Sequence, residues 1–396
     1  MKKIIILLFV LFSQSGNSQK TLTETEKLVP IHKVSISARV DTSKVEIKKV
    51  YHLYSKYINS RPDSIYKNPY WKESENEYYL KTNFLRVDRA ANQIFNYSNA
   101  KDYLSYYNPK IIQIDSIDIK RYQIKTIFLA NCPDKDYLKF NPNYITKLYA
   151  VKNNNNEYKL ENCIDYDTKT WKIKKINFIT YYIHPKIKFN QKEAKKAISF
   201  CKKISKQFNL PIEPFKYYVL PNSDELGKLY NFEYWLSYLS GQTNIPLREI
   251  YTTNSNFNFP HEFVHIIFPL AKNQNEFCPM LINEGLATWL GGVSYNKSFE
   301  EELVKTATIF KAKENILLDD IINFKFRNEF DNSILYITGA VICKLVYEKK
   351  GKDGILKLYN SNSKNYKLIL EELFETYFIN IEKEIIAYIK NYNISN

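Results

Sequence analysis

Phe259-Pro260-His261-Glu262-Phe263-Val264-His265-Ile266-Ile267-Phe268-Pro269 is the stretch around which the rest of the chain is organised. It holds two of the chain's five histidines, four residues apart. On a helix, positions i and i+4 share one face, so His261 and His265 can reach a single ion. Glu262 projects beside that face, where it can take a proton from a water activated by the ion. Glu284 follows nineteen residues after His265, within Asn283-Glu284-Gly285. Two histidines and one carboxylate make one of the known ligand sets of a catalytic zinc, which keeps its fourth position open. The competing reading is two solvated or core histidines on an amphipathic helix.

Local signals outside the motif favour the metal site. Asn258 reads as an N-cap, with Phe259 and Pro260 in the first turn. Proline costs nothing there, because the first-turn N–H groups have no intrahelical partner. Pro269 closes a short helix over Phe259–Phe268. A second helix fits Met280–Leu290, stopped by Gly291-Gly292, with a turn at Asn273-Gln274-Asn275 folding the two together.

The motif, His-Glu-x-x-His followed after eighteen residues by the Glu of Asn-Glu-Gly, resembles the gluzincin zinc metallopeptidases, the group that includes aminopeptidase N. Ile282-Asn283-Glu284-Gly285-Leu286-Ala287-Thr288-Trp289 is similar to the form used around their third ligand. The His-x-x-Gly-x-x-His continuation of metzincins is absent, since Ile266, Ile267 and Phe268 follow His265. The resemblance covers residues 178 to the end and implies Zn²⁺ held by His261, His265 and Glu284, with Glu262 as general base. It also implies that Tyr336, in Tyr336-Ile337-Thr338-Gly339-Ala340, is the phenol that stabilises the oxyanion. Against that stands a chain with 33 tyrosines, most of which must be packing residues. In aminopeptidases a Gly-x-Met-Glu-Asn stretch holds the substrate's amino group; here Ser240-Gly241-Gln242-Thr243-Asn244 has no glutamate. The strand ahead of the zinc helix, Arg248–Thr253, is expected by the resemblance to be the sheet edge on which an extended peptide lies.

A chain of 396 residues has room for more than one folding unit. The reading divides it into a signal peptide at 1–18, an α+β accessory domain at 19–177 and a metallopeptidase-like domain at 178–396. Lys2 and Lys3, the apolar run Ile4–Phe12, and Gly16 and Ser18 before Gln19 fit a secretion signal. The run is less than half of the roughly 20 apolar residues a membrane span needs. The mature protein is therefore expected to be exported, periplasmic or extracellular, with no membrane span.

The accessory domain reads as a helix at 44–60, with Val45, Ile47, Val50, Tyr51, Tyr54 and Tyr57 near one face. Alternating strands follow at Ile112–Asp115 and Tyr122–Leu129, then a hairpin of Ile145–Val151 and Tyr158–Leu160 about Asn153–Asn156. This order resembles small α+β cone folds such as nuclear transport factor 2. The later domain reads as strands at Asn177–Ile183, Phe215–Leu220 and Arg248–Thr253 with a lysine-rich helix at Gln191–Phe208. Past Gly292 it is helical, at 297–314, 316–323, 333–349, 352–360, 365–377 and 380–392, with Gly351 as a C-cap.

A formal net charge of +15 raises the question of polyanionic partners. The lysines are scattered, and no zinc knuckle, RNP-type aromatic pair or Gly-rich phosphate loop occurs, so no nucleic-acid partner is expected. Cys132, Cys163, Cys201, Cys278 and Cys343 are too few and too spread for a disulfide scaffold, though Cys132 and Cys163 could pair. Cys278 is read as structural, since the ligand set is complete without it. The expected activity is hydrolysis of a peptide or protein substrate. Two alternatives stay open: a secreted binding or scaffold protein whose zinc site is structural or vestigial, and a zinc hydrolase acting on something other than peptides.

Overall fold

The computed structural model describes residues 34–62, 64–81, 85–94, 107–130, 144–235, 239–271, 278–294, 297–313, 315–323 and 333–393. They form a mixed α+β protein that divides into two compact units. One holds the described residues up to Trp171 together with Asn222–Tyr238, and the other holds Lys172–Pro221 and Leu239–Asn396. The expected signal peptide and the Asn273–Asn275 turn lie outside the described residues. Among the described residues no helix is long and apolar enough to cross a membrane.

In the first unit β1 (Ser35–Ile36) is followed by α1 (Val45–Ile58), α2 (Glu73–Leu80) and α3 (Ala91–Ile94). Then come β2 (Tyr107–Asp118), β3 (Arg121–Ala130), β4 (Tyr144–Lys152), β5 (Tyr158–Glu161) and α4 (Cys163–Thr168). Strands β2 to β5 pair antiparallel in sequence order, and β1 adds to β2 in parallel. They bury Ile124, Phe128 and Leu148, and a bulge between Ile111 and Gln113 lets β2 bury both Ile111 and Ile114, where the expected alternation would have paired Ile112 with Ile114. The asparagine-rich turn works through Asn153, whose Oδ1 accepts from the N–H groups of Asn155 (3.0 Å) and Glu157 (2.9 Å). Helix α1 buries Val50, Tyr54, Tyr57 and Ile58, while Val45, expected on the same face, is 66% exposed.

The second unit opens with β6 (Lys172–Ile176) and β7 (Ile179–Ile183), then α5 (Gln191–Phe208) and β8 (Phe215–Val219). The boundary expected between 177 and 178 therefore falls in the turn of a hairpin, because Lys172–Ile176 pairs antiparallel with Ile179–Ile183. Strand β6 was not read from the sequence. It is an edge strand, Lys-Ile-Lys-Lys-Ile, whose residues are mostly exposed, so it has no buried face to produce a hydrophobic alternation. Helix α5 spans the expected residues. Asn190 caps it by accepting from Glu193 N–H (3.2 Å), and Ala194, Ala197, Cys201, Ile204 and Phe208 are buried at spacings of three and four.

After β8 the chain supplies α6 (Ser223–Leu229) and β9 (Phe232–Tyr234) to the first unit, where β9 pairs with β4. Asn231 ties this segment in. It is fully buried, donates to Asp88 Oδ1 (3.1 Å) and Asn162 Oδ1 (2.6 Å), and accepts from Cys163 N–H (2.9 Å). A buried amide needs such partners. Cys163 is a free, buried thiol whose Sγ lies 3.2 Å from the Lys147 carbonyl; Cys132 is outside the described residues.

The second unit resumes with β10 (Gly241–Asn244), β11 (Glu249–Thr252), α7 (Pro260–Ile267) and a 3-10 turn at Phe268–Ala271. It continues with α8 (Met280–Gly291), α9 (Phe299–Lys311), α10 (Leu318–Ile322), α11 (Ser333–Tyr359), α12 (Tyr366–Phe374) and α13 (Phe378–Asn391). Gly351, at φ 61°, breaks α11 into the two expected helices. The five-stranded sheet runs β10-β11-β8-β7-β6, with β7, β8 and β11 parallel and the outer strands antiparallel. Strand β11 is thus internal. The edge is β10, which the sequence reading passed over because Gly-Gln-Thr-Asn carries no apolar pattern. One face of the sheet buries Tyr181, Tyr217 and Ile250 in a core with the α5 stripe and with Phe263, Ile266 and Ile267 of α7.

Helices α8 and α11 cross with their backbones in contact. A Cβ on Gly339 would lie 1.9 Å from the Leu281 carbonyl oxygen, and one on Gly285 would lie 2.2 Å from the Gly339 carbonyl carbon. Gly339→Ala is expected to push the helices apart and destabilise the protein by about 1–3 kcal/mol, the range for overpacking. Denaturant unfolding measures this, and a variant within about 0.5 kcal/mol of the parent would show that the crossing tolerates a methyl group.

Candidate metal centre

Helix α7 is eight residues long and starts with Pro260 at its first position. The N-cap is Phe259 rather than the expected Asn258, and it makes no side-chain cap. Asn258 lies one residue too early, and its own N–H donates to Asn256 Oδ1 (2.8 Å) in the loop before the helix. All seven residues from His261 to Ile267 are buried. A short helix buried from its second residue on, with two histidines and a glutamate, needs partners for each of them.

The partners come from α8. His261 Nε2 lies 3.2 Å from Glu284 Oε2, His265 Nε2 lies 3.5 Å from it, and the two Nε2 atoms are 3.2 Å apart. These three donor atoms form a nearly equilateral triangle. Zinc at ordinary Zn–N and Zn–O lengths, with tetrahedral angles, spaces its ligand atoms by roughly 3.3–3.5 Å. The three donor atoms are therefore spaced as a tetrahedral ion would need them.

Surrounding groups orient the ligands. His261 Nδ1–H donates to the Gly292 carbonyl (2.8 Å). That carbonyl can only accept, so Nδ1 carries a proton and Nε2 is turned towards the triangle. The Asn283 side chain hydrogen-bonds His265 and favours its protonated form. Tyr336, on the first turns of α11, is 4% exposed, and its ring lies nearly parallel to that of His261 with centroids 6.0 Å apart. Burial, then the charge and hydrogen bonding of Glu284, then Glu262, push its phenol well above the usual tyrosine range.

Glu262 is 6% exposed and points towards β10. The Thr243 hydroxyl donates to its Oε2 at 2.7 Å and lies 3.2 Å from its main-chain carbonyl oxygen. All five residues singled out from the sequence, His261, Glu262, His265, Glu284 and Tyr336, meet in one place. Sequence reasoning missed Thr243, the use of Asn283 and the Gly292 carbonyl. Asn283 adjoins a ligand and was quotable from the motif; nothing local marks Thr243 or a backbone carbonyl. Comparison of the chain with known protein families and with curated proteins gives no match.

Electrostatics bind the metal-free cluster together. Burial alone would lower the His265 pKa, but the charge and hydrogen bond of Glu284, then Glu262 and Asn283, outweigh it and push it up to about 9. Burial alone would raise that of Glu284; the charge of His265 and the hydrogen bonds of both histidines hold it far below the usual carboxylate range. The unfolded chain keeps a proton on histidine only to about pH 6.5. The raised pKa of His265 therefore stabilises the metal-free fold fully below that pH, and the contribution fades as pH rises through 9. Melting temperatures in a chelator are expected to fall between pH 6.5 and 9, and Glu284→Ala to flatten that slope. A flat profile for the unsubstituted metal-free protein would contradict the assignment.

Proposed function

We propose that the protein is a zinc-dependent peptidase of the gluzincin kind that acts after export. The observation that carries this is the donor triangle of His261, His265 and Glu284 with Glu262 adjoining it on the same helix. Zinc held there supplies a Lewis acid that lowers the pKa of water towards neutrality and polarises a scissile carbonyl. Glu262 takes the proton of the attacking water and returns it to the leaving amine. Tyr336 keeps its proton at any working pH because its pKa is raised, so it serves as a neutral donor to the developing oxyanion.

Substrate would lie along β10, whose outer edge takes up no other strand of the described sheet. Main-chain pairing there asks little of the peptide's sequence. Thr243 occupies the fourth place of the stretch that corresponds to Gly-x-Met-Glu-Asn, where aminopeptidases carry the glutamate for the free amino group. The reading therefore favours cleavage without capture of a terminal amine.

Mass-spectrometric mapping of cuts in a mixed peptide library tests the proposal, comparing the zinc-loaded mature protein with Glu262→Gln. The variant is expected to keep its zinc and lose about 10²–10⁴-fold in turnover, the usual worth of a general base. Equal cutting by both would remove Glu262 from the chemistry. A folded, zinc-loaded wild type that cuts nothing would overturn the peptidase reading. Glu284→Ala is expected to lower zinc affinity by at least tenfold in a chelator competition, and unchanged affinity would remove Glu284 from the ligands.

A further inference from the structure

Glu262 has three rotatable bonds, and a base that must meet one water needs one conformation. Helix α7 fixes its Cα but not its carboxylate. What meets the carboxylate is the helix-facing side of β10, where Gly241 and Thr243 stand two residues apart and so point the same way. A Cβ at Gly241 would lie 2.9 Å from Glu262 Oε1 and 2.5 Å from the Phe259 ring, so only a residue without a side chain leaves the carboxylate its place. Thr243 takes the other oxygen, at 2.7 Å. Threonine is stiff about χ1, and its backbone is held in register opposite Ile250 of β11. The hydroxyl is thus delivered by the sheet, independently of the ligand helices.

We propose that Thr243, over the gap left by Gly241, is the positioning residue for Glu262: its hydroxyl holds Oε2 and leaves Oε1 to accept the proton. This rests on the peptidase reading and assigns Thr243 a task other than metal binding. The hydrogen bond to a charged group is worth roughly tenfold to hundredfold in the population of the held conformer.

The test compares Thr243→Val, which keeps the shape and removes the hydroxyl, with Thr243→Ser, which keeps the hydroxyl, in the full zinc-loaded protein. For a peptide the wild type cleaves, Val is expected to lower kcat at least about tenfold, with KM and zinc affinity changed less than about threefold. Ser is expected to recover most of kcat. Full kcat in the Val variant would overturn the proposal. So would a Ser variant as slow as Val, which would make the role one of packing, or zinc affinity falling in step with kcat.

A crystal structure of the Val variant gives a reading that needs no activity. The Glu262 carboxylate is expected to leave its place beside β10; an unmoved carboxylate would overturn the proposal. A wild type that binds zinc and cuts nothing, with Glu262 displaced in the Val crystal, would sink the peptidase reading while leaving the Thr243–Glu262 hold intact.

Discussion

Glu284, half-buried against α7, keeps its charge there only because two imidazoles face it. A carboxylate taken out of water without a partner is costly enough that it would take up a proton instead. With His261 and His265 within 3.2 and 3.5 Å, it stays ionised and His265 holds a proton in its place. Much of the second unit follows from that requirement. Helices α7 and α8 must face each other at ligand distance, the histidine rings must be turned with Nε2 inward, and no bulky side chain can separate α8 from the helix behind it. The Gly292 carbonyl meets the second demand and the Gly285–Gly339 contact the third. The same crossing brings Tyr336 over His261.

Sheet and helices divide the work. The helices carry the ligands, all on elements with buried faces, so small displacements are resisted by packing. The sheet edge carries Thr243, whose hydroxyl meets Glu262. Because β10 rather than β11 is the outer strand of the described sheet, one four-residue strand both touches Glu262 and carries that edge.

Elements whose own residues bury a stripe were readable in advance. Helix α5 announces itself through Asn190 and the spacing of Ala194, Ala197, Cys201, Ile204 and Phe208. Strands β2, β3 and β4 show through period-two alternation, and Gly351 through a break at positive φ. Elements that take their stability from neighbours were not readable. Strand β6 is an exposed lysine-rich edge, β10 reads as polar loop, and β9 has three residues held by β4 and by the partners of Asn231. The helix start at Phe259 was displaced by one residue from Asn258, because Asn256 accepts the Asn258 N–H in a loop turn that competes with capping.

The candidate site divides in the same way. Two candidate ligands and the candidate base were legible in sequence alone, since helical geometry makes His261 and His265 neighbours at any place in any fold and sets Glu262 beside them; Glu284 reaches them only through the packing of α8 on α7. Their environment was decided by tertiary structure. The unit to which Asn222–Tyr238 belongs, the strand at the sheet edge, the acceptor for His261 Nδ1 and the hydroxyl on Glu262 all depend on segments distant in the chain. Local spacing encodes contacts within a turn or two of helix. A contact between residues nineteen or thirty-one apart exists only after packing has chosen which surfaces meet.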